Sequence, residues 1–222
     1  MSVHRLSADL FAALPDVRPR NEILAEDAVV LRGLLNGEDN VLMQALQKIL
    51  AAAPLRHMST PGGHRMSVAM SNCGRVGWVT DCSGYRYDRI DPETGRPWPE
   101  LPEPFRAVSV RAASQAGFDN FAPDACLINV YEPGARMSLH QDKNERDFTA
   151  PIVSVSLGLP VVFLFGGMQR NDRSRRCRLE HGDIAVWGGP SRLAYHGVSP
   201  LADGHHPITG RQRINLTFRK AL

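Results

Sequence analysis

A chain of 222 residues can bury a full core as one domain, or as one domain with an elaborated lid. Its 43% apolar and 22% charged residues exclude a disordered, collagenous or disulfide-stapled protein, and four cysteines without a C-x-x-C pair read as reduced cytosolic thiols. With 26 basic and 23 acidic side chains the net charge is only +3, so any nucleic-acid partner must be recognised by local sites rather than by overall charge.

In chain order, MSVHRLSADLFAALPDVRPR carries an apolar patch broken by Asp9, Pro15 and Asp16 and no small-residue cleavage pattern, so no signal peptide is expected. No run of about 18 apolar residues follows, and no membrane span is expected. Residues 40–53 set Val41, Leu42, Ala45, Leu46, Ile49 and Leu50 at helical spacing, with Asp39 or Asn40 as the N-cap and Pro54 as the stop. Residues 60–102, rich in Gly, Pro, Tyr, Trp and Arg and without sustained periodicity, read as an irregular functional lid. A second helix is expected over about 104–116, where Phe105, Val108 and Ala112 share a face and Gly117 follows. From residue 125 the pattern changes to short β-rich runs, ACLINVY, IVSVSLG, VVFLF, DIAVWGG and RINLTFR, which predict an antiparallel sandwich or jelly roll. The first 120 or so residues are then helical support and lid, and residues from about 121 to 222 the β core.

In His140-Gln141-Asp142, an extended backbone points the imidazole and the carboxylate to the same side, where both can bind one metal ion. A facial triad needs a second histidine from a distant strand. The motif alone is weak, because the chain also holds His181-Gly182-Asp183. Three predicted strands separate the first pair from His196, but only one separates the second, and that order favours His140, Asp142 and His196. On spacing alone, hydrogen-bonded structural histidines and a turn acid remain the favoured account.

In the run Arg213 to Arg219, alternation puts Arg213, Asn215, Thr217 and Arg219 on one face and Ile214, Leu216 and Phe218 on the other. Two inward arginines are expensive unless they meet an anion, and a small dicarboxylate would satisfy both. An edge strand with its arginines in water is an equal alternative. Asn129 and Tyr131 likewise share a face opposite Ile128 and Val130 and can hydrogen-bond the same carboxylate, or serve as satisfied polar groups at a strand end.

The segments MSVAMSNCG, DACLINVYEPGARMSLHQDKNE, APIVSVSLGLP, FGGMQRND, LEHGDIAVWGG, YHGV and RINLTFR resemble the bacterial AlkB family of DNA-repair dioxygenases, in the family's order and from about Ala25 to Lys220. The resemblance implies a mainly β protein with flanking helices, a double-stranded β-helix (jelly-roll) core and an N-terminal nucleotide-recognition lid, all in one catalytic domain. It implies Fe(II), 2-oxoglutarate as co-substrate and O2, and oxidative demethylation of bases such as 1-methyladenine and 3-methylcytosine, with succinate, CO2 and formaldehyde as products. Single-stranded DNA is the implied preferred substrate, with double-stranded DNA and RNA beside it, for a monomeric cytoplasmic enzyme. Carried over by position, the metal ligands are His140, Asp142 and His196. The 2-oxoglutarate contacts are Asn129, Tyr131, Arg213, Asn215 and Arg219, with Arg213 and Tyr131 at the distal carboxylate and Arg219 and Asn129 nearer the metal. The base pocket falls on Trp78, Tyr85 and Arg170, with Thr60, Met70 and Ser154 nearby. One departure is Asn144, which stands where the bacterial enzyme it resembles carries an acid facing the base, and which leaves the preference for cationic lesions open.

Residues 170–178 hold five arginines and read as a phosphate-contacting rim or a solvated basic loop. Two other functions compete: the same oxygenase chemistry on methylated RNA or protein, and a non-catalytic nucleic-acid-binding β-sandwich. Trp78, Tyr85 and the basic run favour a base over a peptide, and retention of all the metal-ligand types and both arginines argues against the inactive reading.

Overall fold

The computed structural model describes residues 21–35 and 37–222; the N-terminal residues on which the signal-peptide expectation rests lie outside the described residues. Asn21–Ala25 (β1) and Ala28–Leu31 (β2) form a hairpin. Asp39–Ala52 (α1) buries Leu42, Leu46 and Ile49 and starts from Glu38, one residue before the expected cap. Its end falls just ahead of Pro54, which lacks the N–H that another turn would need. Ala69–Gly74 (β3), Gly77–Asp81 (β4) and Gly84–Asp88 (β5) lie in the stretch expected to be irregular. Glu103–Gln115 (α2) buries Phe105, Val108 and Ala112. It closes at Gly117, whose φ of 89° lets the Phe118 N–H donate to the Ala113 carbonyl at 2.9 Å and the Gly117 N–H to the Ser114 carbonyl at 3.0 Å.

The second half runs Ala125–Tyr131 (β6), Met137–His140 (β7), Ile152–Gly158 (β8), Val161–Phe165 (β9), Arg175–Leu179 (β10), Ile184–Trp187 (β11), His196–Val198 (β12) and Arg213–Arg219 (β13). Among the described residues these make a seven-stranded sheet in the order β1-β2-β11-β8-β13-β6-β3, a four-stranded sheet β10-β9-β12-β7, and the separate β4-β5 ribbon. Every pairing between these strands is antiparallel, the jelly-roll architecture expected from the strand-rich half.

Two expectations change. The first half is not only helical support and lid, because β1, β2 and β3 extend both edges of the larger sheet. The arginine run is not a loop throughout: Arg175–Leu179 pairs with β9 as the outer strand of the smaller sheet.

Alternation gives the larger sheet two unlike faces. Ile214, Leu216 and Phe218 join Val153, Val155, Leu157, Ile128 and Val130 under α1 and α2, with Phe105 edge-on to Phe218 at 5.9 Å. Burying a side chain such as Leu216 or Phe218 contributes roughly 1.5–3 kcal/mol, which holds β13 in register. The other face meets the smaller sheet, where Phe163, Phe165 and Trp187 pack between the layers. Within this space, β13, β6 and β8 present a polar strip. No helix among the described residues is long and apolar enough to cross a membrane.

Candidate metal and co-substrate site

His140 ends β7 and His196 begins β12, and the two residues are direct partners across that strand pair. Their rings lie 4.4 Å apart between centroids. Asp142 follows two residues after His140 and puts Oδ1 3.7 Å from His140 Nε2 and Oδ2 3.7 Å from His196 Nε2. One ligand atom from each residue lies within 4.8 Å of the others, the spacing of a metal triad. The tautomers follow from the backbone: His140 Nδ1 meets the Ser138 carbonyl at 2.8 Å and His196 Nδ1 the Ala194 carbonyl at 3.0 Å. A carbonyl only accepts, so each Nδ1 carries a proton, and in the neutral ring Nε2 is the atom that keeps a free lone pair. Burial, and then the neighbouring His140, push His196 down to about 4, which keeps it neutral near pH 7. Although burial opposes it, Arg219, His196 and His140 hold the Asp142 carboxyl well below the usual range.

The other pair, His181 and Asp183, is occupied with structure. His181 Nδ1 accepts from the Gly158 N–H at 3.0 Å, and buried Asp183 accepts from Arg32 at 2.5 Å, from the Gly33 N–H at 3.0 Å and from the Glu180 N–H at 2.9 Å.

The polar strip is built by register: Arg213 faces Tyr131 and Gly158, Asn215 faces Asn129 and Ser156, and Thr217 faces Ser154. Since β13 sits between β6 and β8, the edge-strand alternative is excluded. Arg213 is 1% exposed, lies 5.1 Å over the Tyr131 ring and donates to Ser156 Oγ at 3.1 Å, yet its Nε and Nη1 have no hydrogen-bond partner among the described residues. Burial pushes this guanidinium down from its ordinary range, with Tyr131 pulling the other way. Asn215 Nδ2 donates to Ser154 Oγ at 2.8 Å and to the Val155 carbonyl at 3.1 Å, while Asn129 Nδ2 reaches Asn215 Oδ1 at 3.3 Å and its own Oδ1 has no partner among the described residues.

At the other end of β13, Arg219 donates to Asp142 Oδ2 through Nε at 2.9 Å and Nη2 at 2.6 Å. Against the penalty of burial, Asp142, Tyr87 and Glu145 hold it protonated well above its ordinary range. Three members of this cluster carried no signal in the sequence. Tyr87 of β5 donates to Glu145 Oε1 at 2.6 Å, Glu145 lies 3.5 Å from Arg219, and Arg192 lies 3.3 Å from Glu145 while donating to the Asp142 carbonyl at 2.9 Å. Only the proximity of Glu145 to His-x-Asp in the chain could have pointed to any of them.

The base-pocket residues divide. Trp78 and Tyr85 stack across the β4-β5 ribbon at 5.7 Å with 23° between planes, and Tyr85 is 48% exposed. Trp78 Nε1 donates to Asn144 Oδ1 at 3.2 Å, which docks the ribbon beside the metal-ligand segment. Exposed Arg170 lies 5.3 Å over Tyr195, the neighbour of His196. Thr60 sits in a turn, its N–H on the His64 carbonyl at 2.9 Å. Met70 is fully buried on β3 opposite Asn129, and Ser154 belongs to the Asn215 network rather than to the ribbon.

The profile of the 2OG-Fe(II) oxygenase superfamily matches residues 27–219. The chain is 54% identical over 213 residues to the "Alpha-ketoglutarate-dependent dioxygenase AlkB" of Escherichia coli (strain K12), covering 96% of this chain and 97% of that protein. It is 31% identical over 67% of its length to the "DNA N(6)-methyladenine demethylase ALKBH1C" of Arabidopsis thaliana, of which the alignment spans 38%. A solved structure, "The structure of OsALKBH1", superposes with a TM-score of 0.78 at 27% identity, covering 90% of this chain and 99% of that one. The residues present suit the family's groups. Two imidazoles and a carboxylate form a donor set for Fe(II) that leaves coordination positions open, and the idle donors of Arg213 suit a carboxylate. This chain thus belongs to the AlkB family of the 2OG-Fe(II) oxygenase superfamily, and it is an Fe(II)- and 2-oxoglutarate-dependent dioxygenase that uses O2.

Proposed function

We propose that this enzyme removes N-alkyl groups oxidatively from nucleobases such as 1-methyladenine and 3-methylcytosine, with single-stranded DNA as the preferred substrate. The observation that carries the reading is a single interior strip holding the His140, Asp142 and His196 ligand atoms at one end and the unpaired Arg213 donors at the other. Bound Fe(II), with 2-oxoglutarate and O2, supplies insertion of one oxygen atom into a methyl C–H bond; the co-substrate leaves as succinate and CO2, and the hydroxymethylated base releases formaldehyde.

The chain's own residues do the rest. His140, Asp142 and His196 hold the metal through Nε2, carboxylate oxygen and Nε2. Arg213, helped by Tyr131, binds the far carboxylate of 2-oxoglutarate, and Asn129, Asn215 and Arg219 line the path toward the metal. Arg219 also keeps Asp142 ionised and oriented. The Trp78–Tyr85 stack receives a base that is flipped out or already unpaired, since a methyl group within a duplex cannot reach the metal, and base–aromatic stacking of roughly 1–3 kcal/mol tolerates different bases. Arg170, with Thr60 and Met70 nearby, bounds the base site. The four free cysteines suit a reducing cytoplasm, and the chain acts as a monomeric catalytic unit.

The test combines protein, Fe(II), 2-oxoglutarate, ascorbate and O2 with DNA and RNA oligonucleotides bearing either lesion, following base mass and formaldehyde. Iron-dependent demethylation is expected, lost in His140→Ala and kept with normal iron binding in His181→Ala. No demethylation of either lesion by the wild type overturns the reading, and the opposite mutant pattern overturns the ligand assignment.

A further inference from the structure

A cleft of about 600 Å³ opens beside the base of the β4-β5 ribbon, lined by Arg75, Arg89, Arg106 and Lys220 against an apolar wall of Trp98 and Leu101. Two acids join the lining. Asp124 is committed, accepting from Lys220 Nζ at 2.9 Å and from the Ala221 and Leu222 N–H groups at 2.6 and 3.2 Å. Glu100 is exposed. Arg75 and Arg89 are exposed and form no ion pair or side-chain hydrogen bond among the described residues, and Arg106 reaches only Glu103, at 3.8 Å. With Lys220 paired to Asp124, the three guanidinium groups are opposed only by Glu100 and Glu103, so the concavity keeps a net positive charge, an arrangement that focuses positive potential.

The walls are rigid. The Arg75 N–H donates to the Asp124 carbonyl at 2.7 Å and the Gly74 N–H to the Pro99 carbonyl at 2.8 Å. Trp98 is 5% exposed, donates to the Asp88 carbonyl at 3.0 Å and packs so closely on Gly77 that a Cβ there would overlap the indole. The cleft is also tied to the catalytic site. Tyr87, two positions before Arg89, bonds Glu145, and Arg219, next to Lys220, bonds Asp142. From Tyr85 to Arg89 the backbone covers about 13 Å at roughly 3.3 Å per residue, a distance that a single strand spans within a few nucleotides.

We propose that this cleft holds backbone phosphates of the same single strand whose base occupies the iron site, a few nucleotides from that base. The inference rests on the nucleic-acid reading above. Its occupant is a phosphodiester strand, recognised by charge and not by sequence, and it lies apart from the arginines of β10.

The experiment measures fluorescence anisotropy of an undamaged labelled 12-mer of single-stranded DNA over a salt series, with R75E/R89E, R75K/R89K and the control R211E, and separately the kinetics on a lesion-bearing 12-mer and on a trinucleotide. For R75E/R89E we expect weaker 12-mer binding and a log K against log salt slope shallower by about 0.7 per lost phosphate contact. KM on the 12-mer should rise with kcat and the trinucleotide kinetics unchanged, and the lysine pair should bind like the wild type. Unchanged affinity and slope, an equal loss in R211E, or an equal loss on the trinucleotide would overturn the proposal. The binding arm needs no turnover, so a failure of the demethylation reading is seen separately.

Discussion

Arg213 is the residue whose chemistry most depends on what is bound. A buried cation with idle donors costs several kcal/mol, and an apolar side chain of similar volume usually costs less. Arg213→Met is therefore expected to leave the ligand-free protein at least as stable as the wild type and to abolish the rise in melting temperature on adding 2-oxoglutarate. Both are read by thermal unfolding with and without the co-substrate. A variant that melts well below the wild type when ligand-free would mean that Ser156 and Tyr131 already satisfy the guanidinium. The pairing of Arg213 and Arg219 on one face was legible because a strand alternates with period two. Whether that face was wet or dry depended on the neighbours of β13, which lie far away in sequence. Tyr87, Glu145 and Arg192 had no comparable pattern, being single residues brought to Arg219 and Asp142 from three separate segments.

Among the elements, the β4-β5 ribbon stands outside both sheets and is anchored through side chains: Tyr87 on Glu145, Trp78 on Asn144 and Trp98 beneath Gly77. The Asn144 link permits a clean change of charge. In Asn144→Asp a carboxylate oxygen can still accept from the Trp78 indole, so the ribbon stays docked while a negative charge appears beside the stack. The rate on cationic 3-methylcytosine relative to a neutral etheno base is expected to rise, as measured by competition between the two lesions; equal ratios in both proteins would remove Asn144 from the specificity determinants. The ribbon escaped the sequence reading because the alternation in Gly-Tyr-Arg-Tyr-Asp is only two tyrosines long and sits among Gly-, Pro- and Arg-rich turns, with Tyr85 stacked on Trp78 and Tyr87 bonded to Glu145 rather than both facing the main core. β10 was hidden similarly: Cys177 and Leu179 are its only buried positions, set among arginines, of which Arg175 bonds Glu22 at 2.9 Å and Arg178 bonds Glu180 at 3.1 Å.

For the whole molecule, the buried ionisable cluster sets an acid limit to stability. His196 takes up a proton near 6.5 when unfolded but only near about 4 when folded. Between those values the unfolded state binds more protons, so stability falls as pH drops through that window, by at most about 3 kcal/mol at 1.36 kcal/mol per unit. Asp142, lowered in the fold, extends the loss below its ordinary value of 3.8. His206, lowered by burial and by His181, has the same sign as His196. Ligand-free protein is expected to melt progressively lower from pH 6.5 to 4, and His196→Gln to flatten that slope; an unchanged slope would show that His196 titrates freely. Sequence by itself determined the β-rich second half, both main helices and the order that singles out His140, Asp142 and His196, because periodicity and spacing are local properties. Tertiary structure alone decided that β13 is central, that Arg213 lies buried with unused donors, and that the ribbon leans on the metal-ligand segment. Those features arise from pairings between residues scores of positions apart, which no local pattern encodes.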